Sequence, residues 1–189
     1  MVIIGITGTL GAGKGTVVEY LVRERGFRHY SVRGFLAAEL DRRGMPVNRD
    51  TLTAIANSLR AKHGPAYITE QLYHQAKKTG ENCVIESIRT PGEIESLRKH
   101  PQFFLLAIDA DSRVRYQRIR KRNSETDHIS FRVFIENEQR EMHTTDPNKQ
   151  NLAACIAQAD HVITNNGSLE QLHEQTERFL ERIPGLLDL

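Results

Sequence analysis

The sequence predicts a doubly wound α/β fold on a five-stranded parallel sheet, and three observations predict it. Short apolar runs alternate with longer helical patterns, the first run leads straight into a glycine-rich turn, and the 189 residues suffice for one sizeable core. The runs Val2–Thr7, Arg28–Val32, Cys83–Glu86, Phe103–Asp109 and His161–Thr164 are brief and rich in β-branched or aromatic residues, so each reads as a buried strand. The intervening stretches then cover both faces of a parallel sheet.

The helices mark their own ends. Gly26 follows "RER", Gly44 follows "DRR" and Gly80 follows "KKT", each a glycine just past a basic last turn. In the last helix Leu169, Leu172, Phe179, Leu180 and Ile183 share one face behind Ser168 as N-cap. "NSETDHIS", Asn123 to Ser130, is the most polar and loop-like stretch and is expected to move. No internal repeat or low-complexity tract interrupts the chain, so residues 1–189 read as a single domain.

Composition narrows the function classes. The 26 basic and 24 acidic side chains leave a net charge of +2, so no whole-molecule field selects nucleic acid or a membrane surface. Cys83 and Cys155 lie apart in apolar contexts without a CxxC or Cys/His cluster, which argues against a disulfide framework or a zinc site. "VIIGI" and "FFLLAI" are far shorter than a membrane span. The expectation is a soluble cytoplasmic protein with a small-molecule partner; monomer and dimer both stay open.

Directly after the first strand stands "GTLGAGKGT", residues 8–16. Gly8, Gly11, Gly13 and Gly15 clear side chains from a backbone that must curl around an anion, with Ala12 between them. Lys14 adds a point charge, and the helix beginning near it adds its positive end. Strand before and helix after are the context of a phosphate-binding P-loop. Most such loops carry Ser or Thr straight after the lysine to ligate Mg²⁺; here that place is Gly15, and Thr16 is the nearest hydroxyl.

The GxGKGT form resembles the adenylate kinase branch of the nucleoside monophosphate kinases. That resemblance implies a P-loop nucleotide kinase fold using ATP and Mg²⁺, with the metal reaching the protein mainly through water, at Thr16 and at an acid ending a neighbouring strand. Glu86 is placed to be that acid. It opens "ESIRT", which matches, with one residue fewer, the acid-x-x-x-Arg-Thr pattern of those kinases, where the arginine grips the acceptor's phosphate. Glu86 and Arg89 would leave the carboxyl end of a strand beside the loop, where open α/β sheets bind ligands. The plain alternative is a structural ion pair between the two.

In "RYQRIRKRNSETD", Arg118 and Arg122 stand four apart on a predicted helix and so share a face. They resemble the lid arginines of the same kinases, with residues 113–145 as a short lid; the alternative is a solvated basic face. Residues 33–80 correspond to a helical acceptor-binding insertion, with Arg33, Asn57 and Arg60 as acceptor contacts. His63 beside Gly64 reads as a helix C-terminus, and Asp146 before Pro147 as an N-cap with proline at N1. "ANSLRAKHGP" and "TTDPNKQN" resemble a group of P-loop proteins described as adenylate-kinase-like or dephospho-coenzyme-A-kinase-like. "ADHVITNNGSLEQL" resembles the closing segment of dephospho-coenzyme-A kinases, which implies that Asn165, Asn166 and Gly167 line the adenine, mostly through backbone groups; a capped turn accounts for Ser168.

Two acceptors compete on these resemblances. Transfer to a sugar hydroxyl, as in dephospho-coenzyme-A kinase, gains from a carboxylate base, yet the second strand ends in "HYSVRG", with no carboxylate before Glu39. A nucleoside or deoxynucleoside monophosphate attacks through an oxygen already largely ionised, its second pKa being about 6, and needs cations instead. Arg33, Arg60 and Arg89 meet that demand. A nucleotide-binding regulator with little or no kinase activity is the reading of another class.

Overall fold

The computed structural model describes residues 1–122 and 129–186, so most of the stretch expected to move lies outside the described residues. In chain order the elements are β1 (Ile3–Gly8), α1 (Lys14–Arg25), β2 (Arg28–Ser31), α2 (Val32–Arg42), α3 (Arg49–His63), α4 (Tyr67–Thr79), β3 (Cys83–Glu86) and α5 (Pro91–Leu97). They continue with β4 (Phe103–Asp109), α6 (Ser112–Arg122), α7 (Phe131–Met142), α8 (Leu152–Ala157), β5 (His161–Thr164) and α9 (Leu169–Leu180).

The five strands form one wholly parallel sheet in the order β2-β3-β1-β4-β5. β1 takes the centre because every one of its residues is buried, and its period of two serves both faces. Ile3 joins the core beneath α2, α3 and α4, which includes Leu40, Leu59, Leu72, Ile85 and Leu105. Val2, Ile4 and Ile6 join the opposite core with Val17 and Leu21 of α1 and Leu172 and Phe179 of α9. At Gly5 a side chain would strike Ile88 and Phe103 at under 3 Å.

The sheet corrects part of the sequence reading. β2 and β5 are edge strands rather than buried ones: Arg28 and His29 are exposed, and Val162 is 44% exposed. Leu169 is likewise outside the core, while Leu172, Phe179, Leu180 and Ile183 are buried as their spacing requires. Asp146 caps no helix; its carboxylate accepts the Asn148 N–H at 3.0 Å in a turn, and Asn151 caps α8 instead. Ser168 does cap α9, with Gln171 completing a reciprocal box. His63 is the last residue of α3 and stacks on Tyr67. Among the described residues no helix is long and apolar enough to cross a membrane.

Candidate active site

All five strands end on the same edge of the sheet, and the glycine loop lies there, between β1 and α1. Gly8 has φ +128°, and a Cβ on it would sit 1.9 Å from the Ile108 carbonyl oxygen of β4, so only glycine lets β1 leave the sheet there. At Gly13, φ is +105° and a Cβ would meet Asn165 Nδ2 at 2.5 Å. Around Gly15, by contrast, nothing lies within 4 Å of the Cβ position. α1 starts with no side-chain cap and no acid in its first turn, whereas Ser31, Asn48, Thr90, Ser130, Asn151 and Ser168 cap other helices. The first-turn amides of α1 are therefore left for an anionic ligand over open space.

Lys14 stands at this helix start. Its Nζ donates to the carbonyl oxygens of Gly8 at 3.0 Å and Thr9 at 2.7 Å. Burial first, and then the Arg89 and Arg115 charges, lower its pKa to about 7, against the opposing pull of Glu86 and Glu141. The Arg89 and Arg115 cations thus crowd the Lys14 amine. Such a site fits the phosphate tail of a nucleotide, which would bring the missing negative charge.

Glu86 ends β3, in register with Ile6 of β1 and Ser31 of β2. Its Oε2 meets His29 Nε2 at 3.0 Å, and its Oε1 accepts the Ser87 hydroxyl at 3.1 Å. Burial pushes this carboxyl up, but the His29 contact, the Ser87 hydroxyl and the Lys14 charge outweigh it and hold it below the usual range. Ser87 has φ +72°, the single non-glycine in the left-handed region among the described residues, and the N–H groups of Ser87 and Ile88 both donate to Ile6 O at 3.0 Å. This sharp turn sets Glu86 and Arg89 at the sheet edge. A carboxylate there suits Mg²⁺ held through water; Thr16, half-buried in the first turn of α1, is the matching hydroxyl.

Glu86 and Arg89 do not pair with each other. Arg89 donates to Gln150 Oε1 at 2.8 Å and to Glu141 Oε2 at 3.3 Å, while its own carbonyl accepts the Asn151 N–H at 2.8 Å. "TTDPNKQN" therefore acts as a strap across Arg89, a role its sequence did not announce.

Arg118 donates to the Asn165 carbonyl at 2.8 Å, and Arg122 ends the same helix one turn on. Asn165 is buried, and its Nδ2 donates to Ala12 O at 2.8 Å, so its side chain latches the loop. Gly167 stands beside the α9 cap, where a Cβ would fall 1.7 Å from the end of the Gln171 side chain. Arg115 was not foreseen. It is buried, stacks on Phe134, donates to Leu10 O in the loop and pairs with Glu138 of α7.

Of the expected acceptor contacts, Arg33 is exposed in the first turn of α2, at the end of β2. Asn57 is half-buried on α3 with its Oδ1 unpartnered. Arg60 is 1% exposed and paired at 3.2 Å with fully buried Glu93, while its Nε and Nη1 have no hydrogen-bond partner among the described residues. The inner face of α3, with Ile55, Ala56 and Leu59, carries it into the core. Burial also pushes the Cys83 and Cys155 thiols up to about 12, which makes them inert packing groups.

This loop, strand end and charge set can be compared with known proteins. An AAA-domain family matches residues 4–145. A UPF0200 protein of Methanothermobacter thermautotrophicus is 30% identical over 97% of this chain and 91% of its own length. The chain belongs to the UPF0200 family. Another UPF0200 protein, from Pyrobaculum aerophilum, is 30% identical over 94% of this chain and 96% of its own. Among solved structures, TT1252 from Thermus thermophilus superposes with a TM-score of 0.65 at 20% identity, covering 97% of this chain and 98% of that one. Shikimate kinase from Bacteroides thetaiotaomicron gives 0.60 at 17% identity over 100% and 99% of the two chains. A sugar kinase from Janibacter sp. HTCC2649 gives 0.57 at 18% over 98% of each. This UPF0200 chain thus has the α/β P-loop kinase fold, with a nucleotide-binding P-loop domain.

Proposed function

We propose that this chain transfers a phosphoryl group from Mg·ATP to a nucleoside or deoxynucleoside monophosphate. One observation carries the reading: the glycine loop opens onto uncapped first-turn amides of α1, and Lys14 at that helix start feels the charges of both Glu86 and Arg89, which leave the end of the neighbouring strand β3. When bound, Mg·ATP supplies the transferable group. Lys14 and the loop from Gly8 to Thr16 hold its phosphates, and Glu86, with Thr16, holds the metal's waters. Arg89 aligns the acceptor's phosphate, and Arg33 and Asn57 contact the acceptor from the helical insertion of residues 33–80. Arg118 and Arg122 neutralise charge from the lid, residues 113–145.

A monophosphate is favoured over a hydroxyl acceptor because β2 ends in Ser31, whose Oγ accepts the Gly34 N–H, with no carboxylate at that end to take a proton. A coupled ADP-release assay tests this across AMP, CMP, UMP, GMP, their deoxy forms and dephospho-coenzyme A. Stimulation by one or more monophosphates is the expected result. A response to dephospho-coenzyme A alone overturns the acceptor, and slow acceptor-independent turnover throughout favours a nucleotide-binding regulator.

A further inference from the structure

Arg49 has no part in the reading above, and neither does the acid that holds it. Glu141, in the last turn of α7, lies between guanidinium groups from two distant parts of the chain. Arg49, the first residue of α3, bonds its Oε1, and Arg89 reaches its Oε2 at 3.3 Å. All three side chains are partly buried, at 31%, 25% and 17% exposure for Arg49, Arg89 and Glu141. A narrow cleft bordered by Leu10, Phe134 and Leu152 runs along this contact.

Helix stability does not account for the arrangement. A cation at a helix N-terminus and an anion at a C-terminus both oppose the helix dipole, and Arg49 and Glu141 stand at those wrong ends. Nor are partly exposed ion pairs strong enough to fix them there. What the geometry does provide is two guanidinium forks on the two oxygens of one anion, close enough to Lys14 for Glu141 to act on its amine. Paired forks around one oxyanion are how proteins grip phosphate monoesters.

We propose that Arg49 and Arg89 form the seat for the acceptor's phosphate monoester and that Glu141 is its resident occupant, displaced when the ligand arrives. This rests on the assignment of Arg89 to the acceptor and adds to it Arg49 as a binding residue and Glu141 as an internal competitor. Displacement has a consequence for the lid side. Glu141 lies one turn beyond Glu138, which holds Arg115, and Arg115 in turn holds the Leu10 carbonyl of the loop. Ejecting Glu141 frees the end of α7 while its previous turn stays tied to the nucleotide loop.

The test is binding without turnover. With the loop filled by Mg²⁺ and a non-hydrolysable ATP analogue, inorganic phosphate and AMP are titrated calorimetrically into the wild-type chain, Glu141→Gln, Arg49→Gln and Arg49→Lys. A competitor that fills the seat nine-tenths of the time weakens apparent affinity about tenfold, so Glu141→Gln should bind both probes about tenfold more tightly. Arg49→Gln should bind them several-fold more weakly, and Arg49→Lys, which keeps charge but loses the fork, should fall between. Unchanged or weaker binding in Glu141→Gln overturns the proposal, and unchanged binding in folded Arg49→Gln removes Arg49 from the seat. Should Arg49→Gln fail to melt cooperatively, Glu141→Gln and Arg49→Lys decide alone. Failure of the kinase reading looks different: the probes bind as stated, but no monophosphate stimulates ADP release.

Discussion

Raising the pH from 7 to 9 should loosen the nucleotide loop's hold on Mg·ATP, and the reason lies in Lys14. In the free chain its pKa is about 7, because burial and the cations Arg89 and Arg115 disfavour the ammonium. A triphosphate tail supplies the anionic oxygens that the carbonyls of Gly8 and Thr9 only imitate, and so returns the amine toward 10.5, its ordinary value. Binding then takes up a proton wherever the free amine lacks one. With a free-state pKa near 7, roughly one Lys14 in eleven is charged at pH 8 and one in a hundred at pH 9, so affinity should fall about tenfold and then about a hundredfold from its low-pH plateau. Calorimetry from pH 6 to 9, in two buffers of different ionisation enthalpy, reads both the fall and a proton uptake approaching one at pH 8. Lys14→Met supplies the baseline in which the nucleotide's own titration remains. Affinity independent of pH, or the same slope in Lys14→Met, would refute the argument. Stability obeys the same linkage. Between pH 7 and 10.5 the unfolded chain holds a proton on Lys14 that the folded chain lacks, so the free protein gains stability as pH rises through that window, and the penalty is fully present below it.

Arg89→Ala should raise the acceptor's KM and lower kcat while leaving Mg·ATP affinity at pH 7 within about twofold; it should also move the pH at which nucleotide affinity falls upward, because Arg89 is one of the charges that depress Lys14. A loss confined to ATP affinity removes Arg89 from the acceptor's site, and an unmoved midpoint removes it from those that depress Lys14. Asn165→Ala breaks the bond to Ala12 O and opens space against Gly13. It should cost about 1–3 kcal/mol in urea denaturation and weaken nucleotide binding, and unchanged affinity would show that the latch does not shape the loop. Arg60→Met leaves Glu93 charged in the core with only the Arg89 and Thr90 N–H groups as donors. It should destabilise the fold by about 3–5 kcal/mol; a loss under about 1 kcal/mol would show that the Arg60 pair does not hold Glu93 in the core.

β1, β3 and β4 were legible because strands buried on both faces are written as continuous apolar runs, and the glycine loop because its spacing falls between such a run and a helix. β2 and β5 looked alike in sequence but lie at the edges, since strand order is a property of the whole sheet. Glu86 and Arg89 could be placed near Lys14 because parallel strands all end on one side. Arg33 and Arg60 show the limit: both were read as acceptor contacts, yet one is exposed and the other buried, and the difference depends on how α2, α3 and α4 pack. Arg115 stood unmarked in a basic run because its partner, Glu138, comes 23 residues later. Arg49 and Glu141 are 92 residues apart, and no local pattern relates them.

The arginines around this site divide by what neutralises them. Arg60 is paired through Nη2 with a carboxylate that never meets water, its Nε and Nη1 lacking partners among the described residues, whereas Arg115 is held by Glu138, the Phe134 ring and two backbone carbonyls and so is fixed in place. Arg89 is held by an amide oxygen and by a carboxylate at 3.3 Å, contacts that an anionic ligand can replace at little cost. A site that keeps the exchangeable Arg89 near Lys14 still has to tolerate the repulsion between them while empty. Lys14 relieves it by giving up its proton, which a lysine can do near neutral pH and an arginine cannot. Ligand charge, lysine protonation and release of Glu141 are then one coupled equilibrium, and the loop's lysine is the member that pH can address.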